Sequence, residues 1–242
     1  MNELTTLLNE LYSFKAHLGS RTAISSLGIR NKTALHDPQE ILNTCRQTLG
    51  LIHALKARRG SIFFVNTNAK AKELICQTAT QMNQSFFHDT WVAGSLTNWK
   101  QISQSVNGFQ KIQGSLNHII QNHSIPAYEH ARKKFEGLKK PESCPESFRS
   151  LKTQNLLPDF LILTCRSIQE QELLIQEAKT QKIPVLCFVD DINSMNKSTN
   201  NLGPNMRSNS VEYILPGNTE SPEFFHFYLN LMVICWRSQN SQ

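Results

Sequence analysis

Polar and acidic side chains stand where three buried-looking apolar segments of the chain end. Asn66-Thr67-Asn68, Asp190-Asp191 and Pro216-Gly217-Asn218 each follow such a segment. If the segments are parallel strands, their ends lie at the edge where open α/β sheets usually bind ligands. One of the two aspartates could then be a metal ligand or a general base, with a phosphate near Asn68. The plainer interpretation is that these side chains cap or brace loops.

The chain lacks the compact motifs of the common α/β enzymes. It has no G-x-G-x-x-G, no P-loop and no nucleophile elbow. Its 6 cysteines form no C-x-x-C pair, and His118 and His123 are spaced poorly for two ligands on one helix face. We therefore expect no catalytic residues, no metal and no cofactor, and a reducing compartment without a disulfide framework.

The composition instead suggests phosphate binding. The 25 Lys and Arg residues exceed the 19 Asp and Glu residues, giving a net charge of +6 that suits a polyanionic partner. Cations neutralise phosphates without reading sequence, and indole rings can stack on bases. The RNA-binding candidates are Lys15, His17, Arg21, Arg30, Lys32, Arg58, Arg59, Trp99, Lys100, Arg132, Lys133, Lys134, Lys139 and Lys140. The alternatives are solvated surface positions for the cations and core packing for the tryptophan.

Helical and strand patterns alternate along most of the chain, which predicts an α/β fold: a doubly wound, flavodoxin-like parallel sheet flanked by helices. The expected helices are Asn2–Phe14, Pro38–Arg58 (capped by Asp37), Ala69–Met82, one from Trp99 capped by Thr97 or Asn98, one capped by Ser167 with Leu173, Leu174 and Ala178 inward, and one from Pro222 capped by Ser221. The expected strands are Ser61–Asn66, Ser85–Phe87, Asp159–Thr164, Val185–Val189 and Val211–Leu215.

Two regions depart from this alternation. Residues 15–32 have no strong periodicity and indicate an irregular, exposed segment. Between residues 114 and 156 prolines interrupt a basic stretch, which indicates a helical protrusion. We expect an α/β domain made of residues 1–107 and 157–242, with residues 108–156 forming a helical insertion or protrusion. No segment is long and apolar enough to span a bilayer, and the first ten residues do not resemble a signal peptide.

Residues 88–100 (HDTWVAGSLTNWK) combine two tryptophans, a small-residue pair and a polar run. Gly94 suggests a positive φ angle or a close backbone approach that a Cβ atom would prevent. Nothing in the stretch resembles a nucleophile or a metal site. For Trp91 the two interpretations are core packing and stacking on bases.

Several motifs, in order, resemble the small-subunit ribosomal protein S2 family. Phe63–Thr67 (FFVNT) resembles its F-V-G/N-T strand end, and Trp91–Asn98 (WVAGSLTN) resembles its R-W-x-G-G-x-L-T-N signature. Further matches are His17-Leu18-Gly19, Leu157-Pro158-Asp159, Ile183-Pro184-Val185 with Val189-Asp190, and Leu215-Pro216-Gly217-Asn218. On this resemblance the structural motif positions are Thr67, Trp91, Gly94, Thr97, Asn98, Pro158, Asp159, Asp190, Pro216, Gly217 and Asn218.

The resemblance implies a structural component of the small ribosomal subunit that performs no catalysis and has neither a membrane nor a small-molecule partner. Its implied partners are small-subunit rRNA and neighbouring ribosomal proteins. The chain departs from the pattern at Thr90, where the family has Arg, at Ala93, which replaces the first Gly, at Cys165, usually Asp, and at Asp191, usually Thr.

The variant motifs resemble plant mitochondrial members, which implies a ribosome-bound protein of the mitochondrial matrix. The alternative is a small-molecule- or metal-binding α/β enzyme that uses the strand ends near Asp190 and Asn68. Salt-dependent association with rRNA particles would support the ribosomal hypothesis. Saturable binding of a metabolite or metal would support the enzyme hypothesis.

Overall fold

Two groups of strands and six helical segments make up the part of the chain that the computed structural model describes, which is residues 3–19, 28–30, 33–88, 91–108, 111, 157–165, 171–189 and 211–238. The helices are α1 (Glu3–Ser13), α2 (Pro38–Ala57), α3 (Lys72–Met82), α4 (99–108), α5 (Glu172–Thr180) and α6 (Pro222–Arg237). The strands are β1 (Gly28–Arg30), β2 (Thr33–Leu35), β3 (Ile62–Asn66), β4 (Ser85–Phe87), β5 (Phe160–Thr164), β6 (Val185–Val189) and β7 (Tyr213–Pro216).

The main sheet has five parallel strands in the order β4-β3-β5-β6-β7. Every residue of β3, β5 and β6 is buried, as a parallel sheet covered on both faces requires. The order is that of a flavodoxin-like doubly wound sheet, whose strand order reverses between β3 and β5. The predicted α/β class and parallel sheet are confirmed.

Alternation of side chains along the strands divides the core between the two faces of the sheet. Phe64, Ile162 and Leu186 belong to one cluster, together with apolar side chains of α1, α2, α3 and α6. Phe63 and Leu161 point into the other cluster, which α4 and α5 cover. The sheet therefore fixes the position of every helix that carries a candidate residue.

Four helices end with the same backbone motif. At the end of α2, the Arg59 N–H donates to the Lys56 carbonyl at 2.9 Å and the Gly60 N–H to the Leu55 carbonyl at 2.8 Å. This pair of bonds is the Schellman motif, in which the first of the two donor residues adopts a left-handed conformation. The same pairs recur after α1, α3 and α5. The left-handed residues are Lys15 (φ 54°), Arg59 (φ 55°), Asn83 (φ 59°) and Lys182 (φ 57°).

The start of α2 agrees with its prediction, since the Asp37 carboxylate accepts from the Gln39 N–H at 2.9 Å. The structure corrects the expectation for residues 15–32. Within that stretch β1 forms, and it pairs antiparallel with β2, while Leu18 bridges to Leu35. Strands of three residues are too short to show a periodicity, which is why the pattern indicated no regular structure.

Two details of the predicted helices are wrong. Leu173 does not face inward: it is 60% exposed, because Leu174, Ile175 and Ala178 form the buried stripe of α5. Helix α3 begins at Lys72 rather than at residue 69, because residues 69–71 form a turn. Neither change moves a strand end.

Several predictions fall outside the described residues. They concern the helical insertion at 109–110 and 112–156, the cap at Ser167, the pair Asp190-Asp191 and the loop at 193–209. In the part of the chain that the structure describes, no helix combines the length and apolar character needed to cross a membrane.

Candidate functional site

A buried carboxylate fixes the turn at residues 91–98 to helix α5. The Gly94 N–H donates to one Glu177 carboxylate oxygen at 2.6 Å, and the Leu96 N–H donates to the other at 2.8 Å. Glu177 is only 9% exposed. Gly94 has φ 88°, as the sequence predicted, and this left-handed conformation aims both N–H groups at the carboxylate. Hydrogen bonds to an ionised acceptor are short and strong, so this turn is rigidly held.

Aromatic side chains form the floor of the turn. The Trp91 ring lies 5.3 Å from Phe87 and 6.4 Å from Phe63, measured between centroids, and the Trp99 ring lies 5.6 Å from Phe63. Trp99 is 7% exposed, which favours core packing over stacking on a base, because its ring offers no free face. Trp91 is half-buried.

The outer side of the turn is polar and leads into α4. Thr97, Asn98 and Lys100 are exposed. The Asn98 carbonyl accepts from Ile102 N–H at 3.2 Å, which places Asn98 at the expected cap position. The Thr97 hydroxyl donates to the Gly94 carbonyl at 3.2 Å. Thr97 thus braces the turn and does not cap the helix.

At the switch point between β3 and β5, polar side chains bind one another. The Thr164 hydroxyl donates to the Asn66 side-chain oxygen at 2.5 Å, and the Thr67 N–H donates to the Thr164 carbonyl at 3.0 Å. The Gln171 amide donates to the Thr67 hydroxyl at 3.2 Å. Internal hydrogen bonds therefore connect the polar side chains at the position where α/β enzymes usually bind a ligand.

Asn68 connects the loop after β3 to the loop after β7. Its side-chain amide donates to the Thr219 carbonyl at 2.8 Å, and its side-chain oxygen accepts from the Lys70 N–H at 2.9 Å. Asn68 is 1% exposed. Both polar atoms of this side chain are hydrogen-bonded within the protein, and the residue is buried. The side chain that the enzyme hypothesis places near a phosphate therefore connects two loops instead.

The predicted motif residues at the other strand ends are also structural. One Asp159 carboxylate oxygen accepts from the Ser61 N–H at 2.7 Å and from its hydroxyl at 3.0 Å, while Pro158 is buried. After β7, the Gly217 N–H donates to the Val189 carbonyl at 2.9 Å. The Asn218 side chain accepts from the Glu220 N–H at 3.0 Å, and the Pro216 carbonyl accepts from Tyr228.

The basic candidates lie in several places. Lys15, Arg58, Arg59 and Lys100 are exposed. His17 is half-buried with its ring 4.9 Å from that of Tyr12, and burial lowers the pKa of its imidazole. Arg30 belongs to β1. The side chain of Arg30 and the whole of Arg21, Lys32, Arg132, Lys133, Lys134, Lys139 and Lys140 lie outside the described residues.

Among the residues that the structure describes, no three His, Cys, Asp or Glu side chains come together in a way that could hold a metal ion. What the geometry offers is a rigid turn with a polar outer side and a set of exposed cations.

Comparison with known proteins decides between the two hypotheses. The family model of ribosomal protein S2 matches residues 21–236 of the chain. The chain belongs to the ribosomal protein S2 family. This membership makes it a structural constituent of the ribosome and not an enzyme, and it leaves the hypothesis of a small-molecule-binding enzyme without support.

Individual S2 relatives match the chain almost end to end. The chain is 29% identical over 236 residues to small ribosomal subunit protein uS2m of Marchantia polymorpha, covering 96% of this chain and 91% of the relative. It is 25% identical to small ribosomal subunit protein uS2 of Baumannia cicadellinicola, covering 93% and 92%. The match to uS2 of Acinetobacter baylyi is 24% identical, covering 96% and 88%. The predicted resemblance to the family and to its plant mitochondrial members is confirmed.

One departure from the S2 pattern is now explained locally. Cys165 replaces the usual Asp, and its sulfur lies 3.8 Å from that of Cys187 in a site where the two residues are 1% and 0% exposed. A carboxylate there would need a partner that a second thiol does not provide.

Glu177 of α5, which binds the turn at residues 91–98, is the residue that sequence inspection missed. It lies three residues after Leu174 and one before Ala178, on the buried stripe of α5. An acidic residue on the apolar stripe of an amphipathic helix is the signal that could have found it, because a buried charge requires partners.

Proposed function

We propose that this chain is a component of the small subunit of a mitochondrial ribosome, where it binds rRNA phosphates and neighbouring ribosomal proteins. The observation that carries the proposal is its end-to-end match to the S2 family, with a mitochondrial relative at 29% identity and two bacterial relatives at 25% and 24%. The mitochondrial matrix is the compartment that this assignment requires.

The geometry of the described residues supports a binding role. At the switch point the described polar side chains bind one another. The rigid turn at residues 91–98 and the start of α4 instead present Thr97, Asn98 and Lys100 to solvent. Rigid, exposed polar groups bind a partner without a large entropic cost of ordering. The basic candidates named above are the proposed phosphate contacts.

The domain organisation belongs to the same proposal. Residues 1–107 and 157–242 form one α/β unit, into which residues 108–156 are inserted as a helical protrusion. The unit is supported by the pairing of β3 with β5, which joins strands on either side of the insertion along five register pairs. An insertion between two paired strands can extend outward without disturbing the sheet.

Sedimentation of a mitochondrial lysate, with the chain located by mass spectrometry, tests the proposal. At moderate salt we expect the chain to migrate with the small subunit, and at high salt we expect it to be released, because phosphate contacts weaken as salt rises. A chain that stays at the top of the gradient at moderate salt would contradict the proposal.

A further inference from the structure

The charges of the described residues are distributed unevenly between the two edges of the sheet, although Lys70, Lys72 and Lys100 also lie at helix starts. In a parallel α/β sheet the helices run opposite to the strands, so helix ends lie at the amino edge and helix starts at the carboxyl edge. The acidic residues at helix starts are Asp37, Glu40, Glu73, Glu172, Glu220 and Glu223. The basic residues at the ends of α2, α5 and α6 are Lys56, Arg58, Arg59, Lys179, Lys182 and Arg237.

The ends of α2 and α6 adjoin each other at the amino edge. The Lys56 ammonium donates to the Ser238 carbonyl just after α6, and the Cys235 thiol lies 3.4 Å from the Leu49 carbonyl. Arg237 thus stands near Arg58 and Arg59. Lys182 precedes β6, which is two strands from β3 and so about 10 Å away across the sheet. These cations share one edge of the domain.

Two described carboxylates lie at the same edge and accept hydrogen bonds from neighbouring residues. Asp159 accepts hydrogen bonds from Ser61, and one Glu212 carboxylate oxygen accepts from the Val185 N–H at 2.7 Å. Within the described part of the chain, Arg58, Arg59, Lys182 and Arg237 have no carboxylate partner in an ion pair. Hydrogen bonds from neutral donors do not remove the charges of these two carboxylates, but the six basic residues named above outnumber them. The described part of the edge therefore carries a net positive charge.

The helix dipole explains only part of this arrangement. It favours cations in the last turn, which accounts for Lys56, Lys179 and Arg237. It does not explain a long basic side chain at the left-handed position of a Schellman motif, which glycine fills without steric strain. Arg59 and Lys182 both occupy that position, at φ 55° and 57°. Sparsely populated backbone conformations of this kind often accompany function.

We propose that the amino edge of the sheet, with Arg58, Arg59, Lys182 and Arg237, is an rRNA phosphate-binding surface of this protein. It lies opposite to the carboxyl edge, where α/β proteins usually bind ligands. The inference rests on the proposed function, and it adds Lys182 and Arg237 to the phosphate contacts. Arg59 and Lys182, at the left-handed positions after α2 and α5, are both exposed.

The test compares binding of the full chain to a transcript of the small-subunit rRNA across a series of salt concentrations. In the variant R59G/K182G both charges are lost while the left-handed backbone is relieved. We expect the slope of log affinity against log salt to fall by about 1.5, because each lost phosphate contact removes roughly 0.7–0.9. The midpoint of thermal unfolding should not fall.

Two controls separate charge position from backbone effects. Asn83→Gly changes the same left-handed position, ahead of β4, without a change of charge. The variant K70Q/K72Q removes two exposed cations from the carboxyl edge. We expect both controls to keep the wild-type salt slope. R59Q/K182Q repeats the loss of charge with side chains retained and should match R59G/K182G.

The outcomes are distinct. An unchanged slope in R59G/K182G, or an equal loss in K70Q/K72Q, would overturn the amino-edge assignment while leaving the ribosomal role intact. Absence of wild-type binding to the rRNA, together with absence from the small-subunit fraction, would instead overturn the proposed function.

Discussion

The Glu177 carboxylate accepts the Gly94 N–H at 2.6 Å, joining groups that are 83 residues apart in the chain. The partner of the second carboxylate oxygen is the Leu96 N–H, so both donors of the turn are satisfied by one side chain. A turn that opens a helix usually leaves its N–H groups to water or to a local cap. In this protein a distant helix supplies the acceptor.

Replacing Glu177 by Ala should lower the free energy of unfolding by about 3 kcal/mol, because two buried N–H groups lose a charged acceptor. Urea denaturation followed by tryptophan fluorescence measures the change, with Trp91 and Trp99 near the turn. Glu177→Gln keeps one acceptor oxygen and should lose about half as much. Glu73→Gln, at an exposed site, is the control. A loss below about 0.5 kcal/mol in E177A would contradict the assigned role.

Substitution of Gly217 by Ala should destabilise the protein by about 3 kcal/mol, because overpacking a core forces side chains and backbone to shift. An added Cβ atom would lie 2.1 Å from Cε2 of Phe224, which is 1% exposed, and φ is 151°. Thermal unfolding would measure the effect. Gly50 provides the matched control, since a Cβ atom there meets nothing within 4 Å. Gly50→Ala, inside α2, should stabilise by about 0.5–1 kcal/mol. Equal effects at the two glycines would refute the steric argument.

The five strands of the main sheet were predictable to within two residues, and β3, β5 and β6 are clearest because each is a buried apolar run. Strands β1 and β2 were not predicted. The positive φ of Gly94 was also predictable, since glycine has few rivals in that conformation. The partner of the turn was not predictable, because a sequence shows which residues are charged but not which distant N–H groups they bind. The position of Glu177 on the apolar stripe of α5 signals burial but does not identify its partner.

His17, in the motif His17-Leu18-Gly19 that resembles the S2 family, should make the stability of the protein depend on pH. Burial lowers the pKa of His17 below its ordinary 6.5. Between the lowered pKa and 6.5 the unfolded chain binds more protons than the native chain, so stability falls as the pH falls through this window and is regained above it. We expect His17→Gln to reduce the change in melting temperature between pH 5 and pH 7.5. The exposed His53→Gln is the control. An equal reduction in both variants would show that another group is responsible.

Alkylation should distinguish the described cysteines. Burial raises the pKa of the Cys45 thiol to about 12, against 9.0 ordinarily, so its thiolate fraction at pH 8 drops about a thousandfold. Burial also raises the pKa of Cys76 and Cys235, but the Lys72 and Lys56 charges counter this effect and both residues are partly accessible. Iodoacetamide with peptide mapping should modify Cys76 and Cys235 first. Cys45, Cys165 and Cys187 should react only as fast as the protein unfolds. Early modification of Cys45 would contradict the structure.

The contact between the first and the last helix of the described chain has a consequence for synthesis. The Phe14 ring, just after α1, stacks on His226 at 5.2 Å and lies 6.2 Å from Phe227, both in α6. Helix α1 leaves the ribosome first and its docking site leaves almost last, an interval on the order of ten to forty seconds at ordinary elongation rates. During that interval the Phe14 ring lacks its native contacts with His226 and Phe227. The nascent chain therefore exposes this part of its apolar core until most of the described residues have been translated.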